Sequence, residues 1–316
     1  MPEGPTVRRY CSLALPFVGQ LVTKVGGSTK QISLQDLMEQ QLQDCQVHGK
    51  NLYLAFGCSS CSIKKPEKTD DVNTQDDGKT EEGCSLITES SAASKEQSKP
   101  GTSEEMLVRK WLRFHFGLYG SIRANELARA RRGNKRGDWK DPTPRLIVYF
   151  DGGGFLVFYN CRMSWCSCPF VDPSRDILCP EFDKKKALRA LSQPRPVCIT
   201  LMDQSIFSGV GNIIKNEILY LARVHPLSLG SILPQEDLTA LIDHAITFTA
   251  NWLNDKMKRK ALRYHIYLKE QCENGHQVVK ETIGPLHGLK RLTWYCPTCQ
   301  KLPPCCGSLR LSRGDL

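Results

Sequence analysis

Asp203-Gln-Ser-Ile-Phe-Ser-Gly-Val-Gly-Asn-Ile213 decides how the second half of the chain is built. Two glycines lead into Asn212, and Val210, Ile213, Ile214, Ile218 and Leu221 then fall on one helical face. The spacing predicts a helix opening at Ser208-Gly-Val-Gly-Asn212, and glycines at such a start leave N–H groups free to hold a phosphate. A glycine at a helix start is by itself more often only a cap. Further on, Leu238, Leu241, Ile242, Ala245, Thr249 and Trp252 mark a second apolar face. After Pro180 the chain therefore reads as helical.

Working back towards the amino terminus, the period changes to two. Leu146–Phe150 and Phe155–Tyr159 flank Gly152-Gly-Gly154 as a hairpin. Leu112, Phe114, Phe116 and Leu118 alternate with polar, basic or glycine positions in a strand predicted to run to Gly120. Residues 19–25 and 51–56 read as two more strands, with Val47-His48-Gly49-Lys50 a turn that sets a lysine at a strand mouth. Val7, Tyr10, Cys11 and Ala14 predict a short helix just behind the terminus. Repeated antiparallel strands imply a β-sandwich. The fold class expected is α+β and multidomain, with the two parts joined near residues 170–180.

Residues 58–105 break both patterns. They hold no aromatic side chain, 6 basic residues and 11 acidic ones, with many Ser, Thr and Gly. Such a segment cannot bury enough apolar area to offset its ordering entropy, so disorder is expected. The whole chain of 316 residues carries a formal charge of +10, so the remainder is more basic still, with 37 Lys and Arg against 22 Asp and Glu. A polyanionic partner such as nucleic acid fits that excess. The start MPEGPTVRRY is no signal peptide, and no apolar run approaches the ~20 residues a membrane span needs. An intracellular, reducing setting is expected, in which most of the 15 cysteines stay thiols or bind metal.

Cys272-x3-His276 and Cys296-x2-Cys299 stand at knuckle spacings either side of residues 277–283 and 292–295, which read as two strands. Three thiolates and one imidazole fill a tetrahedral site, so one structural zinc per chain is expected, holding a β-hairpin. Cys58/Cys61, Cys166/Cys168 and Cys305/Cys306 are read as non-ligating. At the other end, removal of Met1 would leave Pro2 as a secondary amine with a pKa near that of other α-amino groups, about 7.7–8.0. Its attack on an aldehyde-level carbon gives an iminium, whose fixed charge acidifies the neighbouring carbon. Glu3 beside it is placed to act as acid or base.

Taken together, Pro2-Glu3-Gly4-Pro5, His48-Gly49-Lys50, Asp203–Ile213 and Cys272–Cys299 resemble, in order and separation, the motifs of the formamidopyrimidine/endonuclease VIII DNA glycosylases. The resemblance covers nearly all of the chain outside residues 58–105. It implies a β-sandwich catalytic domain with flanking helices (1–57 and 106–175), the acidic insertion, a helix–two-turn–helix domain (176–265), a zinc finger (266–300) and a flexible tail (301–316). It also implies a nuclear, monomeric enzyme of base excision repair that acts on damaged DNA, removes oxidised pyrimidines, and has protein partners in that pathway. Pro2 would attack C1′, Glu3 would protonate the sugar ring oxygen, and Lys50 would assist near the sugar and phosphate. Asn212 and Arg291 would grip phosphates, while Leu118 and Arg162 would fill the space an everted base leaves. Cys272, His276, Cys296 and Cys299 would be the zinc ligands, although four cysteines are the commoner pattern. Ser164 stands where an aromatic wedge is usual, with Trp165 next in the chain, so bubble or single-stranded DNA is the expected preference.

Two other classes of function remain to be weighed. A zinc protein that only binds nucleic acid would need none of Pro2, Glu3 and Lys50. A zinc hydrolase would need an open metal position, which a four-ligand site lacks.

Overall fold

Alternation of apolar and polar side chains builds the first half of the molecule. In the computed structural model, which describes residues 2–58, 109–130, 133, 137, 139–284, 288 and 290–304, eight strands form two antiparallel sheets there. They are β1 (Val22–Gly26), β2 (Gln41–His48), β3 (Asn51–Gly57), β4 (Lys110–His115), β5 (Ser121–Ala124), β6 (Leu146–Phe150), β7 (Phe155–Tyr159) and β8 (Arg162–Cys166). The sheet orders are β1-β6-β7-β5 and β2-β3-β4-β8. In β6, Leu146, Val148 and Phe150 are buried while Ile147 and Tyr149 are half-buried, the alternation that lets one face enter a core. Leu52, Leu112, Phe114 and Phe158 meet between the sheets, and the Phe114 and Phe158 rings stack at 4.3 Å. The β-sandwich expected from the sequence is present.

Helix α1 (Gly4–Ala14) buries Val7 and Ala14 against this core. It packs on β2, β3 and β5, and on α5 (Gln235–Met257) of the second half. Arg9 extends that contact by donating to the Lys256 carbonyl at 3.2 Å.

Three expectations need correcting. The strand predicted to run to Gly120 ends at His115, because Gly117 takes φ +51° and turns the chain outward. Val210 lies before its helix rather than within it. Strand β2 escaped notice because a bulge between Leu42 and Asp44 breaks its alternation. The acidic insertion beyond Cys58, Leu107 and residues 305–316 lie outside the described residues.

The second half has its own core, drawn from α2 (Lys184–Leu191), α3 (Val197–Thr200), α4 (Asn212–Leu221) and α5. Ile214, Ile218, Leu241 and Ala245 meet at its centre. Helix α4 is buried almost all round, and its burial includes Lys215, Asn216 and Glu217. Against it lies an antiparallel hairpin of β9 (Val279–Ile283) and β10 (Arg291–Tyr295), paired from Arg291↔Ile283 to Tyr295↔Val279. Three side chains of α4 hold β10: Asn212 Nδ2 donates to the Leu292 carbonyl at 2.8 Å, Lys215 Nζ to Thr293 Oγ1 at 2.7 Å, and Asn216 Oδ1 accepts from Trp294 N at 3.3 Å. Among the described residues no helix is long and apolar enough to cross a membrane.

Candidate active site and metal centre

Helix α4 begins without a side-chain cap of its own. Its first free N–H groups, on Ile213 and Ile214, donate instead to the Glu3 carboxylate at 2.8 and 3.1 Å. A carboxylate at a helix start is favoured by the dipole as well as by the bonds. The helix start is therefore not an open phosphate cradle, as its glycines suggested. It is filled by the chain's third residue. Gly211 makes this possible, since a Cβ there would overlap the Glu3 carboxyl. The Gly4 N–H fixes the same approach by donating to the Gly209 carbonyl at 2.9 Å.

Lys50 arrives from the opposite side on the β2–β3 turn. His48 pairs with Asn51, so Gly49 and Lys50 form a two-residue loop, and φ +54° at Gly49 is the positive first angle of a type II′ turn. Asp176, itself buried, accepts the Gly49 N–H at 2.8 Å and pairs with Arg8 at 3.1 Å. One carboxylate thus ties the lysine turn to the helix behind Pro2.

Pro2, Lys50 and Arg291 come together in the wall of a cavity of about 450 Å³, which Leu118, Lys215 and residues of α3 also line. Burial pushes Glu3 above the usual carboxylate range, against the pull of Lys50 and the two helix N–H groups. Desolvation lowers Lys50 to about 8, with Glu3 opposing and Arg291 adding to the fall. Both groups sit closer to neutrality than free side chains would. Both shifts favour the uncharged forms, which suits such a pair to handing over or taking up a proton.

Cys272, His276, Cys296 and Cys299 place their ligand atoms within 4.8 Å of one another. Tetrahedral zinc with Zn–S near 2.3 Å needs sulfurs about 3.8 Å apart, and Cys272 and Cys299 lie at 4.0 Å. Burial would raise the Cys272 thiol, but N–H donors from Asn274 and His276, with Tyr220 and Cys296, bring it down to about 7. Gln300 buttresses the second knuckle, accepting from Cys296 N at 2.9 Å and donating to the Val224 carbonyl at 2.9 Å. The donor set and its support fit a closed metal site.

The other expected residues fall as follows. Asn212 Oδ1 and Arg291 Nε are buried without a partner among the described residues. Leu118 is 54% exposed at the tip of the β4–β5 turn, and Arg162 is exposed at the start of β8, opposite His115. Trp165 does not fill the wedge position, for it packs edge-on to Phe56 in the sandwich. Sequence reasoning missed Tyr119, 81% exposed beside Leu118. It also missed Asp176, and Lys215, whose ammonium burial lowers to about 8. A signal for Lys215 existed: Lys215-Asn-Glu217 interrupts a run that is otherwise apolar.

Comparison with known proteins follows the same geometry. The formamidopyrimidine-DNA glycosylase H2TH domain matches residues 173–259. Over 317 residues the chain is 47% identical to endonuclease 8-like 2 of Mus musculus, covering 95% of this chain and 96% of that one. The Homo sapiens protein of that name is also 47% identical, over 319 residues and with the same coverage. Lactococcus lactis formamidopyrimidine DNA glycosylase, solved non-covalently bound to DNA containing an abasic site, superposes with a TM-score of 0.63. That match has 19% identity and spans 95% of this chain and 99% of the other. The chain belongs to the formamidopyrimidine/endonuclease VIII family of DNA glycosylases and abasic-site lyases.

Proposed function

We propose that the chain excises oxidised pyrimidines from nuclear DNA and then cuts the strand through an iminium on Pro2. The observation that carries this reading is the meeting of Pro2 and Lys50 in the wall of one cavity, from two separate places in the chain, with Glu3 buried beside Pro2 at the start of α4. With Met1 removed, the Pro2 nitrogen attacks C1′ of an everted nucleotide. The C1′–N bond breaks, its electron pair leaves with the base, and the base takes up the proton that the Pro2 nitrogen sheds. Glu3, whose carboxyl burial shifts towards the protonated form, donates to the ring oxygen as the sugar opens, and loss of that C–O bond leaves the iminium. The iminium acidifies C2′, whose proton is removed as the 3′ phosphate departs. A second elimination expels the 5′ phosphate.

Lys50 is suited to assist these proton transfers and to hold charge near the sugar. Arg291, through its free Nε–H, and Asn212, through the second hydrogen of its Nδ2, suit a bent phosphate backbone. Zinc, when bound, would hold the hairpin that carries Arg291, with no open position for chemistry. Leu118 and Arg162 would fill the vacated stack. An oligonucleotide bearing one 5-hydroxyuracil tests the reading. Product ends carrying phosphate on both sides of a one-nucleotide gap are expected. An added residue before Pro2 turns the amine into an amide and should stop both steps. A base-free but uncut strand from the processed protein would contradict it.

A further inference from the structure

Lys215 is the buried lysine of the cavity that the mechanism leaves unused. It projects from α4 and is 2% exposed, yet it lines the cavity. Among the described residues its one hydrogen bond is to Thr293 Oγ1, and it forms no ion pair. An ammonium carries three donors. Burying one with two donors unspent is costly unless something arrives to accept them. Of the cavity's other polar side chains, Arg195 is exposed and faces Asp203 at 3.9 Å, and His115 is exposed and meets Asn51 Oδ1 at 3.3 Å. Gln204 donates to the Met202 and Val210 carbonyls at 3.0 and 2.9 Å and accepts from Gly209 N. Asp203 accepts from the N–H and hydroxyl of Ser205. The apolar part of the lining comes from Cys198, Ile199, Met202 and Ile283, among others.

A stretch of cavity wall with apolar side chains and a buried donor-only cation matches a flat heterocycle whose edge bears carbonyl oxygens. A base everted from the stack is read by its polar edge while its faces rest on apolar side chains. We propose that Lys215 reads the damaged base itself, donating to a ring carbonyl of the everted pyrimidine. This rests on the reading that Pro2 attacks C1′ from the same cavity, and it separates two tasks. Lys50 and Arg291 serve the sugar and phosphates, and Lys215 serves the base.

An abasic site has no base to read, which gives a clean test. Lys215→Met keeps the length and removes the donors. Single-turnover cutting would be compared on matched oligonucleotides carrying 5-hydroxyuracil or a preformed abasic site. Losing one charged hydrogen bond should slow base excision about tenfold to a hundredfold, with abasic-site cutting within about twofold of the unaltered chain. Equal losses on both substrates would mean that Lys215 merely positions β10 and Arg291, and would overturn the proposal. So would no loss on either. Should Lys215→Met lose its zinc or melt early, Lys215→Gln keeps a donor for Thr293, and the same split between substrates is required of it. Failure of the unaltered chain on both substrates would instead sink the Pro2 reading.

Discussion

The sandwich and the α4–hairpin unit are held by different forces. Between the sheets, large apolar side chains such as Leu52, Leu112, Phe114 and Phe158 are excluded from water, and their stabilisation scales with buried area. The hairpin has a core of six buried side chains, two of which are the thiol ligands Cys272 and Cys296. Its remaining ties to α4 are polar, through Asn212, Lys215 and Asn216. The difference teaches where function is fragile. A lost contact in the sandwich lowers stability, whereas a lost thiol in the Cys/His cluster would let the hairpin move and carry Arg291 away from Pro2.

A pair of variants breaks that comparison most forcefully. Cys296→Ser removes a ligand from a site whose metal contributes on the order of 10–16 kcal/mol in small zinc domains. Zinc content should fall to near zero and DNA cutting to background, while the sandwich still unfolds cooperatively. Leu112→Ala should cost about 2–5 kcal/mol of stability and leave zinc content and the single-turnover rate of folded molecules unchanged. Metal analysis beside thermal unfolding checks both. Zinc retained at one per chain in Cys296→Ser would refute the ligand set.

A smaller effect separates the two duties of Glu3, which caps α4 and stands next to Pro2. Glu3→Gln should lower base excision by about 10²–10⁴-fold. Abasic-site cutting should fall much less, since that sugar already opens without ring-oxygen protonation by the enzyme. The pH dependence follows from the upward shift of the carboxyl. A carboxyl so raised keeps its proton to higher pH than a free glutamate and loses it as pH rises through the raised value, so base excision should decline on the alkaline side of that value. In Glu3→Gln that decline should vanish. A profile unchanged by the substitution would assign the acid to another group.

The smallest effect concerns the turn and strand that would enter the duplex. Ser164 offers little stacking area, and Trp165 is engaged with Phe56. Eversion from intact duplex costs a few kcal/mol of unpairing, less where the strand is already open. The same lesion should therefore be cut faster from a bubble than from a duplex, and Ser164→Phe should narrow the gap by a few-fold. Rates on matched oligonucleotides decide it, and faster cutting of the duplex would refute the preference.

Much of this was legible in the residues. Period-2 runs around Gly152-Gly-Gly154, the helical face through Ile213 and Ile218, and the paired knuckles each carry local physics, so they could be read from local spacing. What escaped depends on distance. That Glu3 caps α4 joins residues 210 positions apart, and nothing near Gly211 announces it. Asp176 became visible only once the turn at Gly49 lay against it. Strand β2 hid behind a bulge, and Leu118 looked like a core position until Gly117 was seen to end its strand. Lys215 sat in plain view as a polar break in an apolar helix, but its meaning came from the cavity beside it.

The most direct measurement is mapping of the crosslink formed when the processed chain meets abasic-site DNA in borohydride. Reduction should fix the iminium, and mass spectrometry of the digested adduct should place the sugar remnant on the nitrogen of Pro2. An adduct on Lys50 or Lys215 in the same untagged chain would contradict the assignment of the nucleophile.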